Sequence, residues 1–318
     1  TQDARKKKIF SARLDGLNLP ARAMMPTNFK YDLAVCYRVC PVMSRSAPKV
    51  FGGDKFLLSK VALESFKASL GKLRVKMWVL LDNCPSEYEK LFTGLFDAPD
   101  LVLERHPGIG NRGTLLRQFQ IIAEQEDAEL VYLAEDDYLY HAGSFEEVVG
   151  LLREHPEVDF VAPYYHLDYE TLSMHRHRQK VLQHAGKNWK TVKTTTGTFA
   201  TRRAVFRETH QIFATLLQKV LFSEMTDVGV WLALTKYDVF NPWSWITWPL
   251  KSPFFGWSLF TAWRLCWRQI LFGRRYQLWS PDPSICTHLA EGFMPSSYDW
   301  GKELQMRVAR SKNNLPHL

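Results

Sequence analysis

The chain has 318 residues, 46% of them hydrophobic, which is enough for one large buried core or two smaller ones, and its formal net charge is +8. The basic balance suits an anionic partner, such as a nucleotide phosphate, an acidic membrane surface or nucleic acid. The absence of any clean run of about 18–20 apolar residues excludes an evident transmembrane helix. The five cysteines (Cys36, Cys40, Cys84, Cys266, Cys286) are odd in number and lack metal-ligand spacing, which argues for a reduced, cytoplasmic protein.

Residues 1–29 are polar and basic, carry Lys6-Lys7-Lys8 and lack an apolar core, so they read as an N-terminal arm and not as a secretory signal. Tyr31 to Cys40 is a buried strand that ends at Pro41, and 41–53 is a Pro/Gly/Ser loop. Asp54 then caps a helix that runs to about Leu70. Leu73 to Leu81 is a second strand, ending in Asp82-Asn83-Cys84-Pro85, with a short helix over 86–96. Leu101 to Arg105 is a third strand. Gly108-Ile109-Gly110-Asn111-Arg112-Gly113 is a turn that opens a helix over 112–126, and a fourth strand follows from Val131. Strand and helix thus alternate four times, the pattern of an α/β fold with an open, mostly parallel sheet. Ligands of such sheets sit outside the carboxyl ends of the strands, where Asp82 and Glu135–Asp137 fall.

The second half is less regular. A helix over 146–154 and a strand from Val158 to Pro163 precede a polar stretch, 164–190, that holds His166, His175, His177 and His184. Its His175-Arg176-His177-Arg178 run is either a solvated loop or a site for an acidic acceptor. Thr191 to Ala200 is a Thr-rich strand and turn around Gly197. A helix over 202–221 comes next, then a helix over 228–236 for which Asp227 is a candidate N-cap.

The fourth strand, Val131-Tyr132-Leu133-Ala134, runs straight into Glu135-Asp136-Asp137. Three adjacent carboxylates repel and raise one another's pKa unless a cation neutralises them. Hard divalent cations prefer oxygen ligands and often bind through one or two carboxylates plus substrate phosphates. A solvated acidic turn is the plainer alternative.

Taken in order, these elements resemble the GT-A glycosyltransferases that use nucleotide sugars, of the family 2 type. The resemblance rests on Asp82 at the second strand end, the Gly-Asn-Arg-Gly helix start, Glu135-Asp136-Asp137, the Thr196-Gly197-Thr198 turn, Thr226-Asp227-Val228-Gly229-Val230-Trp231, and His288 in Ser284-Ile285-Cys286-Thr287-His288-Leu289. It covers roughly 30–290 and implies a GT-A-like catalytic domain there, with 291–318 as a C-terminal tail. By resemblance, Asp137 and His288 bind Mn²⁺ or Mg²⁺. Asp82, Arg112, Glu135, Asp136 and Gly197 hold the donor, taken as a UDP-sugar from how often the class uses UDP. Asp227 is the general base of an inverting transfer. The family pattern places Glu before that Asp, whereas this chain has Thr226 there and Glu224 two residues earlier, so the base stays open between Asp227 and Glu224.

Six of the 11 tryptophans fall between 243 and 267. From Trp257 to Phe272 the pattern is helical, with Arg264 and Arg268 among the aromatics. Trp and Arg on an amphipathic helix suit a peripheral anchor at the inner face of a membrane; a helix docked on the core or on a partner is the alternative. The 243–279 segment therefore reads as a Trp-rich amphipathic insertion, and the acceptor as a glycan or a lipid-linked molecule. Two other functions fit less of the chain. A metal-dependent nucleotidyltransferase of sugar phosphates needs a tight basic Gly-rich loop after the first strand. A non-enzymatic basic membrane-binding protein leaves the acidic strand end without a use. No nucleic-acid-binding motif is present, so nucleic acid is not expected as a partner.

Overall fold

The apolar runs of the first 140 residues form one parallel layer. In the computed structural model, which describes residues 29–220 and 223–313, strand β1 (Leu33–Val39) pairs with β2 (Val75–Asp82) and β4 (Leu130–Glu135), and β2 pairs with β3 (Leu101–His106). Helices α1 (Lys55–Ser69), α2 (Glu87–Thr93) and α3 (Gly110–Glu124) lie between these strands in sequence, and the Asp54 side chain caps α1 by accepting from Leu57 N at 2.8 Å. The basic arm expected over 1–29 lies outside the described residues except for Phe29.

After a short strand β5 (Tyr138–Tyr140) and helix α4 (Ser144–Glu154), the second half adds β6 (Phe160–Val161), helix α5 (Asp168–Thr171), β7 (Val181–His184), β8 (Lys187–Val192), β9 (Phe199–Arg202), helix α6 (Arg203–Ala214) and the small ribbon β10 (Lys219–Val220) and β11 (Ser223–Glu224). Helices α7 (Asp227–Thr235), α8 (Pro242–Lys251) and α9 (Pro253–Phe272), strands β12 (Leu278–Asp282) and β13 (Cys286–His288), and helix α10 (Trp300–Asn313) complete the order. The main sheet runs β3-β2-β1-β4-β9-β6-β12-β8-β7. Strands β9 and β8 run antiparallel to their neighbours, so seven of the nine strands share one direction. This is the mixed, mostly parallel open sheet flanked by helices that the sequence predicts.

Both faces of the sheet are covered, which explains why its central strands are apolar throughout. Ala34, Cys36, Val131 and Leu133 enter the core on the α3 side, with Phe119 and Ile122. Leu33, Val35, Tyr37, Leu130, Tyr132 and Ala134 enter the opposite core, with Leu63 and Phe66 of α1. The alternation is the period of two that a pleated strand imposes.

Several expected boundaries shift. The polar stretch 164–190 contains the β7–β8 hairpin, whose two-residue turn is Ala185-Gly186 with both φ values positive, 50° and 74°. It reads as a loop in the sequence because β7 is an edge strand with little apolar alternation. The helix expected over 202–221 stops at Ala214, where the Thr215 hydroxyl donates back to Ile212 O at 2.6 Å and a 3₁₀ turn follows. Cap of the next helix is Thr226, whose hydroxyl accepts from Gly229 N at 3.0 Å, and Asp227 is its first helical residue.

The Trp-rich insertion forms two helices, α9, which contains the helical stretch expected from Trp257 to Phe272, and α8 before it. Ser252, held extended before Pro253, separates α8 from α9, and a Cβ on Gly256 would lie 2.9 Å from Pro249, so the bare glycine lets the two pack. Helix α9 buries Phe255, Leu259, Ala262, Cys266 and Ile270 and kinks at Cys266. Trp300, Leu304 and Val308 of α10, within the expected C-terminal tail, are buried against Leu57, Leu58 and Val61 of α1.

Candidate active site

The end of β4 at Glu135 and the Asp136-Asp137 turn that follows part the three carboxylates. Glu135 continues the α3 face of β4. There it forms an ion pair with Arg38, which sits on the same face of β1, and accepts from Thr198 Oγ1 at 3.0 Å. Arg38 also donates to Asn111 Oδ1 at 2.7 Å. Asp136 turns the other way, into α1, where Lys55 Nζ and Ser59 Oγ each lie 2.8 Å from Oδ2. Burial raises the Asp136 pKa, and Lys55 only partly offsets it. Asp136 therefore anchors the turn to α1, and it also borders the cleft described below.

Asp137 meets His288. Strand β13 pairs antiparallel with β5, matching His288 to Tyr138 and Cys286 to Tyr140, and Leu289 N donates to Asp137 O at 2.7 Å. This register brings His288 Nε2 to 3.1 Å from Asp137 Oδ2 and stacks its ring on Tyr138, centroids 5.0 Å apart. Burial would raise the Asp137 pKa, but the His288 hydrogen bond and charge, with Lys55 and Arg38, hold it below the usual carboxylate value. Burial would lower the His288 pKa, and Asp137 and Glu135 hold it above the usual histidine value. The other oxygen, Asp137 Oδ1, is buried without a hydrogen-bond partner. An orphaned carboxylate oxygen costs about 1–3 kcal/mol unless something occupies it. Asp137 Oδ1 with the neighbouring imidazole is a donor set that fits a divalent cation of the Mn²⁺ or Mg²⁺ type, which needs few protein ligands when phosphates supply the rest.

Beside this pair lies a cleft of about 420 Å³ at the carboxyl ends of β1, β2 and β4, lined by Arg38, Asp82, Asn111, Thr114, Glu135 and Asp137 among others. Asp82 is 6% exposed, and both its oxygens are engaged: Oδ1 accepts from Gly108 N (3.0 Å) and Ile109 N (2.7 Å), Oδ2 from Gly110 N (2.8 Å). Gly108 and Gly110 have φ of +87° and +73°, which turns the three N–H groups toward one point. The loop is thus a nest for Asp82 itself, and Asp82 shapes the cleft wall before it can touch any nucleoside. Three charge-assisted bonds to a buried carboxylate predict that Asp82→Ala lowers unfolding free energy by about 3 kcal/mol or more, measured by urea denaturation. A carboxylate that only contacted ligand would leave stability unchanged.

Arg112 does not line the cleft. Asn111, Thr114 and Gln118 share the helix face turned to β1 and β4, whereas Arg112 projects roughly 100° away, one residue's turn of a 3.6-residue helix, and forms an ion pair with Glu224. Both are half-exposed. Of the two candidate bases, Glu224 is therefore occupied by a guanidinium. Asp227 Oδ1 accepts from Val228 N at 2.8 Å, and burial, with the charge of Glu135, raises its pKa. Asp227, Thr196 and Gly197 line one small cavity. Thr196 Oγ1 is 3.0 Å from the Tyr138 hydroxyl and Thr198 holds Glu135, so the 196–198 turn spans the space between the acidic strand end and Asp227.

No family model and no curated protein matches the chain. Among solved structures it is similar to the galactosyltransferase LgtC in complex with donor and acceptor sugar analogs, at 12% identity over 89% of this chain and 98% of that one, with a TM-score of 0.45. It is also similar to the mannosyltransferase PcManGT from Pyrobaculum calidifontis in complex with GDP-Man and Mn²⁺, at 15% identity and a TM-score of 0.29; 48% of this chain is covered, and it spans 41% of the mannosyltransferase's length. A third similar structure is the 4-diphosphocytidyl-2C-methyl-D-erythritol synthase from Anaerococcus prevotii, at 12% identity over 65% of this chain and 83% of that one, with a TM-score of 0.37. At such identities and TM-scores these likenesses carry no argument about activity, which rests on the residues of the cleft.

Two cleft residues, Arg38 and Thr114, lie outside the quoted motifs, while Asn111 and Thr198 lie within them without a role assigned there. Arg38 left a trace, as the one cation in an otherwise apolar strand. The His175–Arg178 run also resolves. His175 is buried, its pKa pushed down to about 4, and the His177 ring bridges His175 O and Thr191 O at 2.9 and 3.0 Å. Those histidines pack the second half of the fold, so the run is not the solvated loop expected from the sequence.

Proposed function

We propose that the protein is a divalent-metal-dependent glycosyltransferase. It moves a sugar from a nucleoside diphosphate sugar, a UDP-sugar by the family resemblance, to a hydroxyl of a glycan or lipid-linked acceptor, with inversion. The observation that carries this reading is the buried, unpartnered Asp137 Oδ1 beside His288, at the mouth of a cleft on the carboxyl ends of parallel strands. Asp137 and His288 would hold Mn²⁺ or Mg²⁺, which when bound supplies charge neutralisation to the two phosphates of the leaving group. Arg38, Asn111, Thr114 and the Asp82-ordered loop form the donor wall. Asp227 takes the proton from the acceptor hydroxyl as that oxygen bonds to the anomeric carbon and the nucleoside diphosphate leaves with the electron pair. The raised pKa of Asp227 favours it as base over the ion-paired Glu224.

The nucleotidyltransferase alternative needs a tight basic Gly-rich loop after β1, and Arg38, the cation at the end of β1, is tied to Glu135 and Asn111. Calorimetry with UDP, GDP, CDP and ADP, with and without Mn²⁺, tests the reading. At least one diphosphate should bind about tenfold or more tightly with Mn²⁺, and no metal-dependent binding of any of them would overturn it.

Gly197 supports the donor assignment. Its φ is not positive, and a Cβ there would meet open space, so neither backbone conformation nor packing requires glycine. Gly197→Ala should leave stability within about 0.5 kcal/mol while raising the KM for the donor; an unchanged KM would remove Gly197 from the site.

The α8–α9 pair favours a membrane-linked acceptor. Trp243 is 70% and Leu250 83% exposed, and Ile246, Phe254 and Phe272 join them, with Lys251, Arg264 and Arg268 nearby. No helix among the described residues is long and apolar enough to cross a membrane, so contact here would be peripheral. Trp257 Nε1 donates to Glu224 O at 3.2 Å and Thr226 Oγ1 to Ser258 Oγ at 2.8 Å, which ties this pair to the base segment. Trp243→Glu with Leu250→Glu should abolish sedimentation with anionic vesicles and leave donor hydrolysis intact.

A further inference from the structure

We propose a second metal site, remote from the cleft, in which Glu154, His155 and His184 bind Zn²⁺ or a similar borderline divalent ion and staple the β7–β8 hairpin to the end of α4. Among the described residues this is the one group of three or more His, Cys, Asp or Glu side chains whose ligand atoms all lie within 4.8 Å of one another. Glu154 ends α4, His155 is its C-cap, and His184 ends β7, so a helix terminus and a sheet edge converge. Glu154 Oε2 lies 3.4 Å from His184 Nδ1, and the two imidazoles stand edge to face with centroids 5.6 Å apart. Glu157 Oε1, 3.3 Å from His155 Nδ1, borders the group as a further oxygen donor.

The pocket for His184 is built into the fold. Its side chain is 11% exposed, and it packs on α4 where Gly150 has no Cβ; a Cβ there would lie 3.0 Å from His184 Nε2. Trp189 Nε1 donates to His184 O at 3.2 Å and fixes the backbone, while Arg202 donates to the carbonyls of His155 (2.9 Å) and Val158 (2.7 Å) and fixes the α4 exit. Zinc bonds of about 2.0–2.1 Å place tetrahedral ligands roughly 3.4 Å apart. Glu154 Oε2 and His184 Nδ1 already stand at that spacing, and the group closes by an approach of His155, whose side chain is 23% exposed, from within the 4.8 Å that the three ligand atoms span. Two imidazoles select Zn²⁺, Ni²⁺ or Cu²⁺ over Mg²⁺, whereas the carboxylate-and-phosphate setting of Asp137 selects hard cations. The two centres would therefore sort metals by chemistry. The β7 edge gains a cross-link that its exposed, polar pairing lacks.

The test uses tag-free, chelator-stripped protein titrated with Zn²⁺ alone, in a His288→Ala background that disables the cleft. Calorimetry should show one bound equivalent, and melting should show a rise in Tm. His184→Gln and, separately, the more exposed His155→Asn should weaken binding at least about tenfold and cancel the Tm rise. His155→Asn with His288 intact should keep wild-type Mn²⁺-dependent turnover. Absence of a bound equivalent in the His288→Ala background, or retention of Zn²⁺ affinity by His155→Asn, overturns the proposal. Because His155→Asn removes a partly exposed side chain, the test holds even if His184→Gln fails to fold.

Discussion

Asp137→Ala is expected to lower metal-dependent turnover by about a thousandfold or more, equivalent to about 4 kcal/mol of lost transition-state stabilisation. The variant removes the orphaned Oδ1 and leaves His288 without its carboxylate partner. Asp137→Asn keeps the shape but removes the charge, and should lose nearly as much, because an amide oxygen does not neutralise a divalent cation. Either variant should also lose the rise in Tm that Mn²⁺ with a nucleoside diphosphate gives the wild type. Retained metal-dependent turnover in Asp137→Ala would remove this residue from the metal site. Proton linkage gives the same pair a pH signature. Asp137 and Glu135 raise the His288 pKa, and the imidazole must be neutral to ligate, so Mn²⁺ affinity should weaken as pH falls through that raised pKa.

Asp227→Asn is expected to cost about 10²–10⁴ in kcat for transfer while leaving donor affinity unchanged, the size of a lost general base. Burial raises the Asp227 pKa, so its ionised form is costly in the folded state. The sign follows from linkage. A native pKa above the unfolded value means that the folded state binds more protons between the two, so stability falls as pH rises through that window. At neutral pH the carboxylate therefore costs stability, and Asp227→Asn should raise Tm while removing transfer. The acid limb of kcat for the wild type should likewise lie above the ordinary aspartate pKa of about 3.9. Loss of activity with loss of stability would mark Asp227 as structural, and full activity in Asp227→Asn together with loss in Glu224→Gln would move the base to Glu224.

The sheet was legible because its central strands are buried on both faces. Unbroken apolar runs such as Val131 to Ala134 stand out, and the charges that end them mark the carboxyl edge. The same runs hid what the charges do. Three neighbours read as one acidic motif, yet the strand end and the turn after it send Glu135 to Arg38, Asp136 to Lys55 and Asp137 to His288. Arg112 looked like a cleft residue from its place at a helix start, but helical geometry gives that face to Asn111 and Thr114. Asp82 was visible as a strand-end carboxylate, and its three backbone donors were not, since they depend on two positive-φ glycines folding back. The meeting of Asp137 with His288 spans 151 residues and depends on the β5–β13 register, which no local pattern encodes. The β7–β8 hairpin escaped because an exposed edge strand carries little apolar alternation.

Metal-dependent hydrolysis of a panel of nucleotide sugars, followed by release of the nucleoside diphosphate from wild-type protein and from Asp137→Ala, tests the proposed chemistry most directly. At least one sugar nucleotide should be hydrolysed with Mn²⁺ or Mg²⁺, the reaction should stop on chelation, and Asp137→Ala should be inactive with the same melting cooperativity as wild type. Failure of every donor with either metal, or hydrolysis that survives the chelator at full rate, would contradict a metal-dependent glycosyltransferase.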